Sequence, residues 1–393
     1  MNIGVFFGGK SPEHDVSIIT GQLVLSELKK SGHTAIPVYI DVQGDWYCDE
    51  KLGELQFFQQ ADKQAQLKKY EKFLIDMANS RGKLILVQKK GLLGEKKVQI
   101  DMAFPAFHGA NGEDGTVQGL FEMFNLPYVG CGVAASALAM DKILTKLLYK
   151  SQDIPTAKFR HFSKKEWEEK KDFLIEEILQ QLKLPLFVKP PLLGSSIGIS
   201  RVKDKQELEC AVEVALHYGE NILIEEAVEN LKDLTCAVIG DENPRASLVQ
   251  ESSFGGDFFD YEEKYLKEGG TQLGNADKSI IIPANIKENL AADIQNMAVR
   301  IFKIFGCKGM ARIDFLYDEK KDKLYANEIN TIPGTLYHHL WKASGLELQA
   351  LVAELIAVAE QIYQRKQKIT YSFSSDLLKK AQSVKLQLKR EEH

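Results

Sequence analysis

"NIGVFFGGKSPEHDVSIITGQLVLSELKKSG", residues 2–32, sets the architecture. An apolar run ends at Gly8 and Gly9, and a segment with helical spacing follows it and stops at Gly32. This order is that of a buried strand, a turn and a helix. Further short apolar runs, "TAIPVYI", "KLILVQ" and "MAFPAF", alternate with helical stretches to about residue 130. Strands separated by helices predict a parallel sheet with crossover connections, and hence an α/β unit over residues 1–131.

Downstream, "GVAASALAMDKILTKLLYKS" (132–151) reads as one long helix. "PLFVKP" (185–190) and "NILIEEAV" (221–228) read as strands flanking a helix in "KDKQELECAVEVALHYG" (203–219). A smaller mixed unit over 132–226 is expected. "LTCAVIG", "GMARIDFLYD" and "KLYANEIN" are strand-like, helices fall near 285–305 and 345–366, and "KEGGTQLGNADKS" (267–279) has the composition of a loop. These predict a third unit over 227–366, followed by a charged helical tail at 367–393.

Composition bounds the function. The 393 residues are 44% hydrophobic and 27% charged, with 50 basic against 55 acidic residues and a net charge of −5. That balance argues against a nucleic-acid or membrane-surface partner. Five scattered cysteines without a C-x-x-C pair suit reduced thiols and a cytoplasmic home. Apolar runs stay below the length of a membrane span, about 18 residues, and "MNIGVFFGG" lacks the features of a secretory leader.

Three constellations carry chemistry. In "FVKPPLLGSSIGIS" (187–200) Lys189 stands at a strand exit, and the turn at Gly194, Ser195, Ser196 and Gly198 offers successive N–H donors and two hydroxyls. This is a phosphate cradle in chemical terms, although an ordinary Gly/Ser turn beside a surface lysine has the same composition. In "ARIDFLYD" (311–318) and "LYANEINTIPG" (324–334), Glu328 and Asn330 lie two apart on one strand face, and Asp314 on a neighbouring strand can join them. Three hard oxygen ligands suit magnesium, and Arg312 can steady a phosphate. The Gly-rich turns "GGKSPEHDVS" (8–17) and "FHGANGEDGTVQG" (107–119) fall at strand ends, where open α/β sheets bind ligands. Glu13 and Ser17 begin the helix after the first, while His108, Glu113 and Asp114 crowd the second.

Read in order with "YVGCGVAASALAMDKILTK" (128–146) and "FFDYEEKY" (258–265), these pieces resemble the D-alanine–D-alanine ligases of the ATP-grasp superfamily over nearly the whole chain. The resemblance implies a three-domain ATP-grasp fold with an N-terminal doubly wound parallel sheet. It implies an ADP-forming ligase that joins two D-alanines through an acyl phosphate for peptidoglycan precursor synthesis, commonly as a homodimer. Carried over by position, it implies ATP contacts at Lys142, Lys189, Ser195, Ser196 and Asn327, and a phosphate contact at Lys264. Glu225 and Glu226 would form the adenine edge, Phe258 the adenine-packing ring and Asp233 the ribose contact. Asp314, Glu328 and Asn330 would hold two Mg²⁺, with Mn²⁺ as a substitute. Arg312 and the Gly334 amide would face the acyl group. Glu13 would bind the first ammonium in a hydrogen-bonded set with Ser195 and Tyr265, beside His108 and Glu113, and residues 266–280 would form a lid.

Two segments depart from the family pattern. After Pro333-Gly334 the family usually continues Thr-Ser-x-Ser, whereas this chain reads Thr335, Leu336, Tyr337, His338, His339. Tyr337 and His339 become candidate contacts of the second substrate, and for the His338-His339 pair a packing feature beneath the acceptor site is the other reading. An altered pocket could admit a different acceptor, such as a hydroxy acid or another amine. Asp233 stands in place of a family glutamate and is one methylene shorter. A nucleotide-binding regulator without turnover is a third possibility, and the intact set of Asp314, Glu328, Asn330, Lys189 and Lys264 speaks against it.

Overall fold

The structure is a computed structural model that describes residues 1–89, 94–195, 197–252 and 280–375. Strands β1 (Asn2–Gly8), β2 (Thr34–Ile40) and β3 (Trp46–Tyr47), with β7 (Met102–Pro105), form a sheet in the order β3-β2-β1-β7, in which β1 runs parallel to β2 and to β7. Successive residues of β1 face opposite sides. Val5 and Phe7 enter a core with helices His14–Lys30 and Leu348–Lys366, while Phe6 joins Val38, Leu84 and Phe121 on the other side. Gly4 gives Ile100 its room, since a Cβ there would meet the Ile100 side chain at 2.8 Å.

"KLILVQ" departs from expectation. It forms β5 (Leu84–Lys89), which pairs antiparallel with β4 (Leu74–Ile75) and β6 (Glu95–Ile100) in a separate three-stranded sheet. The few residues between β5 and β6 are too few for a parallel crossover, which needs a dozen or more.

The middle of the chain builds an antiparallel sheet from β8 (Phe159–Ser163), β9 (Leu186–Lys189), β10 (Ser200–Val202) and β11 (Asn221–Glu226), in the order β10-β9-β11-β8. Helices Lys164–Gln181 and Lys205–Ala215 cover it. A capping box between Ser163 and Glu166 starts the first, and the Asp204 carboxylate caps the second. The last sheet is antiparallel too. It comprises β12 (Leu231–Gly240), β13 (Arg245–Ser252), β14 (Ile280–Ile281), β15 (Gly309–Asp318) and β16 (Lys323–Asn330), in the order β14-β13-β12-β15-β16.

The segment 132–151 is two helices, Val133–Met140 and Lys142–Ser151, instead of one. Asp141 breaks them with an extended backbone (φ −86°, ψ 106°), and its carboxylate accepts the Ile143 and Leu144 amides, so its preference for the N-cap overrides the apolar periodicity. The apolar residues of these helices pack on the last sheet: Ala135, Ala139 and Tyr149 share a core with Ile313, Phe315 and Ile329. Helices His338–Ala343 and Leu348–Lys366 return to the first core, where Leu340, Trp341 and Leu355 lie with Val24 and Leu28.

Helix Leu348–Lys366 ends before the expected charged helical tail, and residues 367–375 carry no helix. That stretch, "QKITYSFSS", alternates β-branched, aromatic and hydroxyl residues of low helix propensity. The remainder of the tail, 376–393, lies outside the described residues. Among the described residues no helix is long and apolar enough to cross a membrane.

Candidate active site

The last sheet places chemistry by strand parity. On one face Leu234, Cys236, Ile313, Phe315 and Ile329 bury themselves against helix Glu288–Ile304. On the opposite face cross-strand pairs run Ile239–Met310, Ala237–Arg312, Thr235–Asp314 and Asp233–Leu316, with Arg312 next to Asn330 and Asp314 next to Glu328. The apolar end of that face packs under the first core, and the polar end opens into a cleft lined by Arg312, Glu328 and Asn330.

A bulge makes this arrangement possible. Asp314 pairs with Glu328 but Phe315 pairs with Ala326, so Asn327 is the extra residue on β16. Ala326 and Ile329 are both core residues although they are three apart. Strict alternation from Ala326 would have turned Glu328 into the apolar core, and the bulge returns it to the cleft.

Arg312, 5% exposed, donates through Nε (3.0 and 3.1 Å) and Nη2 (2.7 Å) to Asp314 and lies over the Tyr337 ring, 5.1 Å from its centroid. Its Nη1 is buried and has no hydrogen-bond partner among the described residues. Burial works against the guanidinium charge, and the Asp314 carboxylate outweighs it and raises the Arg312 pKa. Thr235 donates to Asp314 Oδ1 at 2.9 Å, and Asn330 Oδ1 accepts the Ile332 amide at 3.0 Å. Two carboxylates and an amide oxygen are a donor set of hard oxygens that fits a divalent cation shared with phosphate oxygens. No cluster of three or more His, Cys, Asp or Glu side chains with the disposition of a metal site occurs among the described residues.

Across the cleft, Ser195 Oγ donates to Glu13 Oε1, in a turn where Ser195 itself has φ +52°. Gly194 is required for this approach, because a Cβ there would lie 2.5 Å from Glu13 Oε2. Glu113 Oε2 accepts the Gly109 amide at 2.6 Å, and His108 Nε2 meets Thr20 Oγ1 at 2.9 Å, whose oxygen also accepts the Thr335 amide. Burial, then the Arg312 charge, lowers the His108 pKa to about 3, so the ring is neutral at pH 7.

Burial, then the nearby Glu13 charge, pushes the Glu113 pKa up to about 8 from an ordinary 4.5. The folded chain therefore keeps a proton that the unfolded chain releases, and the associated stability is full below pH 4.5 and lost as pH rises to about 8. Glu113→Gln should flatten the fall of Tm across that window and leave the variant relatively more stable at pH 8 than at pH 5. Thermal melts at both pH values check this, and an unchanged slope refutes the assignment.

The lysines converge on the same region. Lys142 Nζ donates to the Leu193 carbonyl at 2.7 Å and stands 3.9 Å from Glu328. Lys189 Nζ is 3.2 Å from Glu225 Oε2. Glu225 and Glu226, adjacent on β11, point to opposite sides, and Glu226 Oε1 accepts the Lys183 amide at 2.9 Å. Asp233 lies on the polar face of β12, two residues from Thr235. Sequence reasoning missed Lys146, fully buried between Glu225 and Thr156; its spacing of four from Lys142 on one helix was the available signal.

Beyond Pro333-Gly334, Thr335, Leu336 and Tyr337 have φ of 48°, 56° and 51°. Three consecutive side-chain-bearing residues in the left-handed region are strained, by about 1 kcal/mol or more each. Leu336 anchors the turn in the first core. Gln250, fully buried, clamps its end by donating to Tyr337 Oη at 3.0 Å and meeting His339 Nε2 at 2.8 Å. Burial, then His338, lowers the His339 pKa to about 4. Tyr337 and His339 thus lie behind Arg312, apart from the residues that line the cleft. Gly334 begins this turn and is buried. Ser196, Phe258, Lys264, Tyr265 and residues 266–279 of the expected lid lie outside the described residues.

Comparison with known proteins follows the same lines. Family models described as D-ala D-ala ligase N-terminus and C-terminus match residues 2–131 and 148–357. A D-alanine–D-alanine ligase of Thermosipho melanesiensis is 40% identical over 379 residues, spanning 96% of this chain and 98% of that protein. The solved D-alanine–D-alanine ligase of Coxiella burnetii superposes with a TM-score of 0.77 at 30% identity, covering 94% of this chain and 96% of its own. The D-Ala:D-Ser ligase VanG of Enterococcus faecalis superposes with a TM-score of 0.75 at 31% identity, covering 91% and 99%.

Proposed function

The chain belongs to the D-alanine–D-alanine ligase family, and from that premise we propose that it joins two D-alanines with ATP to give D-alanyl-D-alanine for peptidoglycan precursors. One observation carries the reading. Arg312, with a buried N–H left unpartnered among the described residues, and the Glu13–Ser195 pair line one cleft together with Glu328 and Asn330.

Glu13 takes the ammonium of the first D-alanine, with His108 and Glu113 closing its pocket. Attack of its carboxylate on the γ-phosphate brings two anions together, which costs about 4 kcal/mol at 4 Å and an effective dielectric near 20. Lys142, Lys189 and Arg312 offset that repulsion. The β–γ bond breaks and ADP leaves, giving an acyl phosphate whose carbonyl oxygen Arg312 and the Gly334 amide stabilise while the free amine of the second substrate attacks that carbonyl and inorganic phosphate departs. Two Mg²⁺, or Mn²⁺, at Asp314, Glu328 and Asn330 would neutralise the phosphate oxygens. Glu225, Glu226, Asn327 and Asp233 belong to the nucleotide side, and Ser196, Phe258, Lys264, Tyr265 and the lid enter on the resemblance alone. The units 1–131, 132–226 and 227–366, with helices 133–151 packed on the last, a homodimeric assembly and a cytoplasmic location complete the proposal.

Purified protein incubated with ATP, Mg²⁺ and a panel of D- and L-amino acids and hydroxy acids tests the reading through phosphate release and product mass. D-alanyl-D-alanine is expected as the main product. A mixed product would point to the altered Leu336–His339 segment and a different acceptor, and nucleotide binding without turnover on any substrate would refute a ligase.

A further inference from the structure

A buried charge triad sits beneath the lysine at the strand exit. Lys146 Nζ and Lys189 Nζ each stand 3.2 Å from the same atom, Glu225 Oε2, and Glu225 Oε1 has no hydrogen-bond partner among the described residues. The side chains of Lys146 and Glu225 are 2% and 3% exposed, against 12% for Lys189. Lys146 therefore cannot reach a ligand from its present place, whereas Lys189 stands at the edge of the cluster. Lys146 is also anchored: its Nζ donates to Thr156 Oγ1 at 2.8 Å, and Thr156 Oγ1 donates to the Ala326 carbonyl at 2.9 Å, one residue before the bulge that aims Glu328. Its helix thus joins the middle sheet, through Glu225, to the last.

Two ammonium groups around one carboxylate leave one positive charge. Without Lys146, Glu225 and Lys189 would form a one-to-one pair, and the ammonium nearest the cleft would be neutralised by its own neighbour. We propose that Lys146 is a positioning residue that engages the Glu225 carboxylate from within and so leaves the Lys189 charge available to a nucleotide phosphate. Burial favours the neutral form of both groups and lowers the Lys146 pKa against the pull of Glu225, while Lys146 and then Lys189 outweigh burial at Glu225 and lower its pKa.

This inference rests on the ligase reading, in which Lys189 meets ATP. The test compares wild type, Lys146→Met and Lys146→Arg by initial rates in ATP at saturating D-alanine, and by inhibition with adenosine, which has no phosphate for Lys189 to meet. An uncompensated ammonium a few ångströms from a phosphate attracts it, so Lys146→Met should raise KM for ATP about tenfold or more while kcat changes less. Adenosine should inhibit Lys146→Met about as well as it inhibits wild type, because the lost charge acts on phosphate and not on the base. Lys146→Arg should keep most of the affinity.

An unchanged KM in Lys146→Met overturns the proposal, and so does adenosine inhibition weakened as much as ATP binding, which would mark Lys146 as a mere structural support. Should Lys146→Met fail to melt cooperatively, Lys146→Gln, which retains a donor for Thr156, carries the same two expectations. Wild type without ATP turnover would instead overturn the ligase reading itself.

Discussion

Arg312→Met is expected to lower kcat by about 10²–10³, the range seen when one preorganised donor to a developing oxyanion is removed. The buried guanidinium spends Nε and Nη2 on Asp314 and keeps Nη1 for another partner, while the Tyr337 ring fixes its plane. A fork that serves two partners at once is a property of arginine. Arg312→Lys supplies a point charge that can hold Asp314 or the substrate but not both, so it should recover little activity. Loss of the cation also leaves Asp314 buried beside Thr235, and breaking such a pair costs about 3–5 kcal/mol. Thermal melts must therefore accompany the rate measurements. The lysine variant, which keeps a charge for Asp314, separates the two effects: near-wild-type turnover in a folded Arg312→Lys would remove Arg312 from the chemistry.

Trp341→Ala should cost about 3–5 kcal/mol of stability, the range for truncating a large buried aromatic. Trp341 is 1% exposed and is the largest of the fully buried side chains. It lies in the core where helix His338–Ala343 meets the first sheet and helix Leu348–Lys366. That core also holds Leu336, so the cavity should loosen the strained turn behind Arg312 as well as the fold. Its indole N–H has no hydrogen-bond partner among the described residues, so Trp341→Phe, which removes that donor and keeps most of the bulk, should cost far less. Denaturant unfolding of the two variants checks the pair, and equal losses would show that volume is not what Trp341 contributes.

Local order alone determined a good part of this protein. The strand–turn–helix of residues 2–32, the period of two that puts Arg312 with Asp314 and Glu328 with Asn330, and the turn at Gly194 and Ser195 beside Lys189 are all readable from neighbours along the chain, because periodicity and turn chemistry act over a few residues. Tertiary structure decided what depends on distant partners. "KLILVQ" has the pattern of a strand in either sheet, and pairing with Glu95–Ile100 chose the antiparallel one. The bulge at Asn327 is visible only against β15, and the placing of Tyr337 and His339 only against Gln250. The raised pKa of Glu113 and the ammonium of Lys146 buried on Glu225 arise from desolvation and from charges contributed by segments far away in the chain, so no reading of adjacent residues contains them.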